Sequence, residues 1–250
     1  MKIRFSHNQE GRQGEIKSLL HDFAVKGKAI TPGKRNSIKV FDLRDRKINI
    51  KSFKIPNTVN KFVYRFFRKS KAERSFNYAH ILLSRGIGTP VPLAFAEHTS
   101  SMLFLESYYV SEHLDHDLTF REIDLKNKGH EEILRAFTRF TYQLHEKQIE
   151  FLDHSPGNTL IQIHDNEYKF FLVDLNRMNF KELNFAERMK NFSRLTPQME
   201  MVEVMANEYS QLIGKPESET FEKMWFFTMQ FQEKFKRKKE LKRKLRFWKS

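Results

Sequence analysis

No cysteine occurs among the 250 residues of this chain. That excludes a disulfide framework and any thiolate metal site. Glycine and proline are sparse, at 9 and 7, and no long Gly/Ser linker or internal repeat breaks the sequence. No run approaches the roughly 18 consecutive apolar residues of a membrane span. The opening Met1-Lys2-Ile3-Arg4-Phe5-Ser6-His7-Asn8 also lacks the continuous apolar stretch of a signal peptide. These absences lead to the expectation of a cytoplasmic protein that is soluble or peripheral to a membrane.

Phenylalanine and positive charge are present in excess. The 25 Phe side chains and a 39% hydrophobic content are enough for one sizeable core divided between two lobes. The formal charge of +14 is unevenly spread, because Lys234 to Ser250 holds ten Lys/Arg against one Glu and supplies +9 of it. Phe235, Leu241, Leu245, Phe247 and Trp248 are interleaved with these cations, a pattern expected of a basic amphipathic helix. Such a helix can lie on an anionic membrane surface, with each Lys or Arg contributing about 1 kcal/mol. A solvated tail with nonspecific affinity for polyanions has the same composition.

The residues that carry chemistry lie in the middle of the chain. In Asp153-His154-Ser155-Pro156-Gly157-Asn158 an Asp precedes an Asn by five positions, and Asp174 closes the apolar stretch that follows. This is the spacing of a kinase catalytic loop and its metal-binding Asp. There Asp153 would accept the hydroxyl proton of the acceptor, while Asn158 and Asp174 would hold Mg²⁺ against the phosphates of ATP. Thr159–Ile163 and Tyr168–Val173 read as a hairpin with Asn158 at its entry and Asp174 at its exit. Turn capping around Pro156-Gly157 accounts for Asp153 and Asn158 equally well.

Upstream, Arg46 to Lys54 reads as a strand ending at Pro56, with Ile50-Lys51 placed like the phosphate-gripping lysine of kinases. Lys54 is the rival, on the opposite face of the same strand. Lys51 is preferred because it lies mid-strand. Glu73 is the one carboxylate between Lys51 and Glu97, on a helix marked by Ala72, Phe76, Ala79 and Leu83. It is the expected partner of Lys51, although an exposed Glu beside Lys71 and Arg74 also suits a solvated face.

Read coarsely, a helix over 15–23 precedes strands over 36–43 and 47–53, then the Glu73 helix and strands over 92–97 and 102–110. Ser111-Glu112-His113-Leu114 would be the hinge at the adenine. Ile133, Phe137, Phe140 and Leu144 mark a long helix before the catalytic loop, and helices over 197–213 and from 217 onward close the chain. The class is α+β, organised as an N-terminal lobe over 1–110, a C-terminal lobe over 111–233 and the basic tail over 234–250. Asp153, Asn158 and Asp174 are expected to converge on one cleft.

Four other readings are weighed against this one. Glu112-His113-Leu114-Asp115-His116-Asp117 has the composition of a zinc site and equally that of a solvated loop. His145-Glu146 begins like a zincin motif but has no second His four residues on. His154 beside Asp153 suggests a hydrolytic dyad, yet no nucleophile signature accompanies it. A nucleic-acid-binding module would explain the charge but has no use for Lys51, Glu73, Asp153, Asn158 and Asp174 in that order, so no specific nucleic acid is expected.

Ser70-Lys71-Ala72-Glu73-Arg74-Ser75-Phe76, Gly86-Ile87-Gly88-Thr89-Pro90-Val91-Pro92 and the Asp153–Asn158 loop together resemble the Kdo/WaaP lipopolysaccharide kinases, over about residues 30 to 180. The resemblance implies a protein-kinase-like fold of two lobes and the use of ATP. It also implies, as acceptor, a Kdo or heptose hydroxyl of the lipopolysaccharide inner core at the cytoplasmic side of the inner membrane. The chain departs from the wider kinase pattern at Phe151-Leu152-Asp153, at Asp174-Leu175-Asn176 and in having only Gly27 and Gly33 near the phosphate loop. These departures argue against a protein acceptor.

Overall fold

The computed structural model describes residues 1–7, 10–31, 36–44, 46–53, 69–99, 104–165 and 167–247. They fall into two compact units, Met1–Asp115 with Phe171–Arg177, and His116–Phe170 with Met178–Ser250.

The first unit is built on a six-stranded sheet of β1 (Lys2–Phe5), β2 (Lys28–Thr31), β3 (Asn36–Leu43), β4 (Arg46–Phe53), β5 (Pro92–Thr99) and β6 (Phe104–Glu112), in the order β1-β5-β6-β4-β3-β2. Every neighbouring pair is antiparallel. Alternation along the strands sorts the side chains into two apolar faces. Ile48, Ile50, Ala94, Ala96, Tyr108 and Val110 pack with Ile16 and Leu20 of α1 (Gln13–His21) and with Phe23. Phe53, Phe95 and Tyr109 point the other way and pack with Ala72 and Phe76 of α2 (Lys71–Ser84). Lys51 shares the parity of Phe53, so the register sends it to the α2 face. Gly27 belongs to the packing here, since its φ of 90° is left-handed and a Cβ would collide with the Phe41 ring.

Helix α2 starts where it does because the buried Ser70 caps it, its hydroxyl accepting from the Glu73 N–H at 3.0 Å. Ser70→Ala should therefore cost about 1 kcal/mol, read as a lower midpoint in urea unfolding. An unchanged midpoint would remove the cap from the account.

The boundary expected at 110 falls inside β6, and Ser111 and Glu112 of the expected hinge still belong to the sheet, with Glu112 N–H donating to Val91 O at 2.9 Å. Phe171–Arg177 joins the first unit through the Gly86–Pro92 loop. Leu172 N–H donates to Gly88 O at 2.9 Å, and the buried Thr89 hydroxyl donates to Leu172 O at 2.8 Å.

The second unit is mainly helical. α3 (His130–Glu146) buries Ile133, Leu134, Phe137, Phe140 and Leu144 along one face. α5 (Met199–Ile213) answers with Met201, Val202, Met205, Ala206 and Tyr209. Arg135 and Arg139 of α3 both pair with Glu208 of α5. Two short sheets complete the unit's frame. β7 (Leu118–Thr119), β9 (Thr159–His164) and β10 (Glu167–Leu172) form one, and β8 (Ile149–Phe151) pairs with β11 (Met178–Phe180) in the other. α4 (Phe185–Phe192) is fixed by a capping box between Asn184 and Glu187.

The basic tail is not a separate element. It is the end of α6 (Glu217–Phe247), a helix that buries Thr220, Met224 and Thr228 near its start. Phe235 and Leu241 are both exposed. Six residues apart, they stand about 120° from each other around the axis. These two therefore do not share one face, and cations stand at positions around the helix over 234–244.

Candidate active site

In the first unit Lys51 and Asp174 meet. Lys51 Nζ forms an ion pair with Asp174 Oδ1, the same oxygen that accepts from Asn176 Nδ2 at 2.8 Å. Both partners are partly shielded, with side-chain exposures of 13% for Lys51 and 29% for Asp174. Strand register places the lysine, because Lys51 sits opposite Ile38 on one side and Tyr109 on the other, in the interior of the sheet. Asp174 is placed by the Thr89–Leu172 anchor and by its own backbone, which is left-handed at φ 59°. Asp tolerates that region better than most residues, but it is sparsely populated, and such positions gather at functional sites.

The expected approach of Lys51 to Glu73 is not the pairing found. Lys51 reaches Asp174 instead, and the Glu73 carboxylate lies 3.6 Å from Lys69 Nζ. Placed three residues after the Ser70 cap, Glu73 also sits where an acidic side chain favours the helix N-terminus. Lys54 and Gly33 lie outside the described residues. Next to Lys51 in the register, the Tyr109 hydroxyl is buried without a hydrogen bond among the described residues, and burial pushes its ionisation well above the ordinary phenol range.

In the second unit the loop 153–158 follows β8 and leads into β9. Asn158 Nδ2 donates to the main-chain oxygen of Asp153 at 2.8 Å, closing the loop, and its own Oδ1 is left unspent among the described residues. Arg194 Nη2 meets Asp153 Oδ1 at 2.8 Å, and Arg194 Nη1 donates to Leu152 O at 3.2 Å. Asp153 Oδ2 has no partner among the described residues. One oxygen of the carboxylate is thus held and the other is available to a proton donor.

His154 does not face Asp153. It is fully buried against Phe137 and Phe151, and its Nδ1 lies 3.3 Å from Asn191 Oδ1. The same Asn191 oxygen lies 3.2 Å from His145 Nε2, while His145 Nδ1 is 2.7 Å from the Tyr209 hydroxyl. An amide oxygen only accepts, so both histidines donate to it. His154 Nε2 is then the bare nitrogen, which matches its having no partner among the described residues. Asn191 Nδ2 donates to Phe151 O at 3.0 Å, so the network fixes the chain just before Asp153. A hydrolytic dyad is not formed.

Burial is the main cause that lowers His154 to about 4 and His145 to about 3, with the Asn191 hydrogen bond opposing it. The unfolded histidines protonate near 6.5. Below that pH the unfolded chain binds protons that the folded chain refuses, so stability is lost as pH falls from about 6.5 towards the folded values. For each histidine the slope should rise to about 1.4 kcal/mol per pH unit near pH 5 from about half that value at pH 6.5, checked by urea unfolding between pH 7 and 5. A flat profile there would contradict the neutral pair.

Most of the carboxylates and imidazoles of 112–117 turn to separate partners. Glu112 pairs with Arg46, His113 Nδ1 lies 3.0 Å from Asn49 Oδ1 while its Nε2 lies 3.4 Å from Asp115 Oδ1, and Asp117 Oδ2 accepts from Ile163 N–H at 2.8 Å. Among the described residues no three His, Asp or Glu side chains come together as a metal cluster. Among the described residues Asp174 Oδ2 and Asn158 Oδ1 each have no partner, and each is a hard oxygen donor of the type magnesium takes.

Arg194, Asn176 and Asn191 are the contributions that spacing did not reveal. Asn176 stands in the Asp174 triplet and could have been suspected from its place. Arg194 and Asn191 lie some forty positions beyond the loop they hold, and only their nearness to the buried Met189 and Phe192 sets them apart.

Comparison with known proteins matches the model of the lipopolysaccharide kinase (Kdo/WaaP) family to residues 33–215. No curated protein sequence matches. Among solved structures, WaaP in complex with acyl carrier protein superposes with a TM-score of 0.63 at 13% identity, over 95% of this chain and 99% of that one. The Rio2 kinase–ADP/Mg²⁺–phosphoaspartate complex from Chaetomium thermophilum gives 0.47 at 14% identity, over 85% of this chain and 67% of that one. The fold is protein-kinase-like, and among the described residues no helix is long and apolar enough to cross a membrane. With the family model spanning most of its length, the chain belongs to the lipopolysaccharide kinase (Kdo/WaaP) family and is a phosphotransferase acting on a sugar hydroxyl.

Proposed function

We propose that this kinase transfers the γ-phosphoryl group of ATP to a Kdo or heptose hydroxyl of the lipopolysaccharide inner core. The observation that carries the reading is the state of Asp153, whose Oδ1 is held by Arg194 while Oδ2 has no partner among the described residues. A general base needs that asymmetry: a fixed direction and one open lone pair. Lys51 is assigned to the α- and β-phosphates. Glu73, on the helix covering the same face of the sheet, is assigned as the carboxylate that holds Lys51 when Asp174 is engaged elsewhere.

Asp153 Oδ2 accepts the proton of the acceptor hydroxyl as its oxygen bonds to the γ-phosphorus. The bond from that phosphorus to the β,γ-bridging oxygen breaks, ADP leaves with the electron pair, and the proton passes to solvent. Magnesium, when bound, neutralises charge on the phosphates, and Asp174 and Asn158 are the residues assigned to hold it. The test is purified protein with Mg-ATP and deacylated core oligosaccharide, offered in Kdo-terminated and heptose-containing forms. One phosphoryl group should appear on one of them by mass spectrometry. Transfer to a protein or to an unrelated small hydroxyl, with none to either oligosaccharide, would favour a kinase of another class.

The basic end of α6 suits a site of action on the cytoplasmic membrane face. Truncation after Glu233 should spare transfer to the soluble oligosaccharide and lower it on lipopolysaccharide in anionic vesicles. The deficit should shrink at high salt as screening removes the attraction. Equal activity of both forms on vesicles at low salt would return the segment to a solvated appendage. Since WaaP forms a complex with acyl carrier protein, pull-down of that carrier by the intact and truncated chains adds a second arm.

A further inference from the structure

We infer that Arg194 is the positioning residue for the catalytic carboxylate, and that Phe231 of the basic C-terminal helix holds Arg194 in turn. This rests on the reading of Asp153 as the base. Arg194 makes three separate contacts within the second unit. Its Nη2 takes Asp153 Oδ1 at 2.8 Å, its Nη1 takes Leu152 O at 3.2 Å, and its guanidinium lies over the Phe231 ring at 5.4 Å. Its Nε is buried without a partner among the described residues. An arginine that serves only surface charge does not bury one nitrogen, grip the main chain and lie on a ring.

The geometry is specific to arginine. A planar fork can hold a side-chain carboxylate and the preceding main-chain carbonyl together, whereas a lysine ammonium on a flexible stem lacks that fixed fork. Holding both Leu152 O and Asp153 Oδ1 fixes the carboxylate relative to its own backbone and leaves Oδ2 as the proton acceptor. Phe231 makes the arrangement sensitive to α6, so the helix that carries the basic end also supports the loop that carries the base.

The experiment compares wild type, Arg194→Ala, Arg194→Lys and Phe231→Leu in transfer to the soluble oligosaccharide. Misplacing a reacting group by about 1 Å can cost about 10²-fold. Arg194→Ala should accordingly lose up to about that factor in kcat, with KM for Mg-ATP unchanged. Added guanidinium chloride at millimolar concentration should restore part of it. Arg194→Lys should recover kcat in part, and Phe231→Leu should lose less than Arg194→Ala. In an Asp153→Ala background, Arg194→Ala should add nothing.

An unchanged or raised kcat in Arg194→Ala would overturn the inference, the latter by showing that Arg194 restrains Asp153. So would an equal further loss in the Asp153→Ala background. If Arg194→Ala does not fold, Arg194→Lys with intermediate kcat and unchanged KM supports the inference, and Arg194→Lys with wild-type kcat removes it. Full transfer by Asp153→Ala alone would instead mark failure of the underlying assignment of the base.

Discussion

Asp153→Ala is expected to lower phosphoryl transfer by about 10²–10⁴-fold while leaving Mg-ATP binding largely intact. The first half follows from removing the group assigned to take the hydroxyl proton. The second follows from what the substitution leaves in place. Asn158 closes the loop by donating to the main-chain oxygen of Asp153, and that bond survives loss of the side chain. The buried anchors of the loop, Asn191 to Phe151 O and Arg194 to Leu152 O, are also to the backbone. Initial rates with the oligosaccharide acceptor, set beside calorimetric titration with Mg-ATP, separate the two effects. A variant that transfers at the wild-type rate would remove Asp153 from the chemistry, and one that loses nucleotide affinity in step with rate would make it part of the nucleotide site.

The second large effect belongs to Asp174, and the informative change there is to Asn. The backbone at Asp174 is left-handed at φ 59°. Asn is one of the residues that enter that region readily, whereas Ala adds strain of its own. Asp174→Asn therefore removes the charge with little disturbance of the chain. Transfer should fall by about 10²–10³-fold, the order seen when a single electrostatic contact to a developing charge is deleted. Unlike the Asp153 variant, it should also bind Mg-ATP more weakly, because Asp174 is assigned to the metal and neighbours Lys51. Nucleotide affinity equal to wild type would contradict that assignment even if the rate fell.

The contrast between these residues and the ones that hold them shows what a sequence displays. Lys51 could be placed because Ile48 and Ile50 alternate with it along a strand, and period two fixes the face. Asp153, Asn158 and Asp174 were singled out by spacing alone. The bounds of β3, the long helix α3 and the hairpin from β9 to β10 were legible because their apolar periodicity is strong. The pairing of Lys51 with Asp174 rather than Glu73 was not legible. It depends on Leu172 being tied to Gly88 and Thr89, a contact more than eighty positions apart in sequence.

Arg194 and Asn191 escaped for the same reason, since each acts on a loop about forty positions away. The edge strands β1 and β2 and the eight-residue α4 are too short for their patterns to rise above neighbouring loops. In the tail, Phe235 and Leu241 fall on different sides of the helix, and the side chains of 245–250 lie outside those described.

Phosphorylation of the lipopolysaccharide inner core through Asp153 is the activity proposed for this chain. Mass spectrometry of core oligosaccharide from cells lacking the protein, and from the same cells supplied with wild-type or Asp153→Ala protein, tests it most directly. The expected core lacks one phosphoryl group on a Kdo or heptose, restored by wild type and not by Asp153→Ala. An unaltered core in cells lacking the protein, or full restoration by Asp153→Ala, would contradict it.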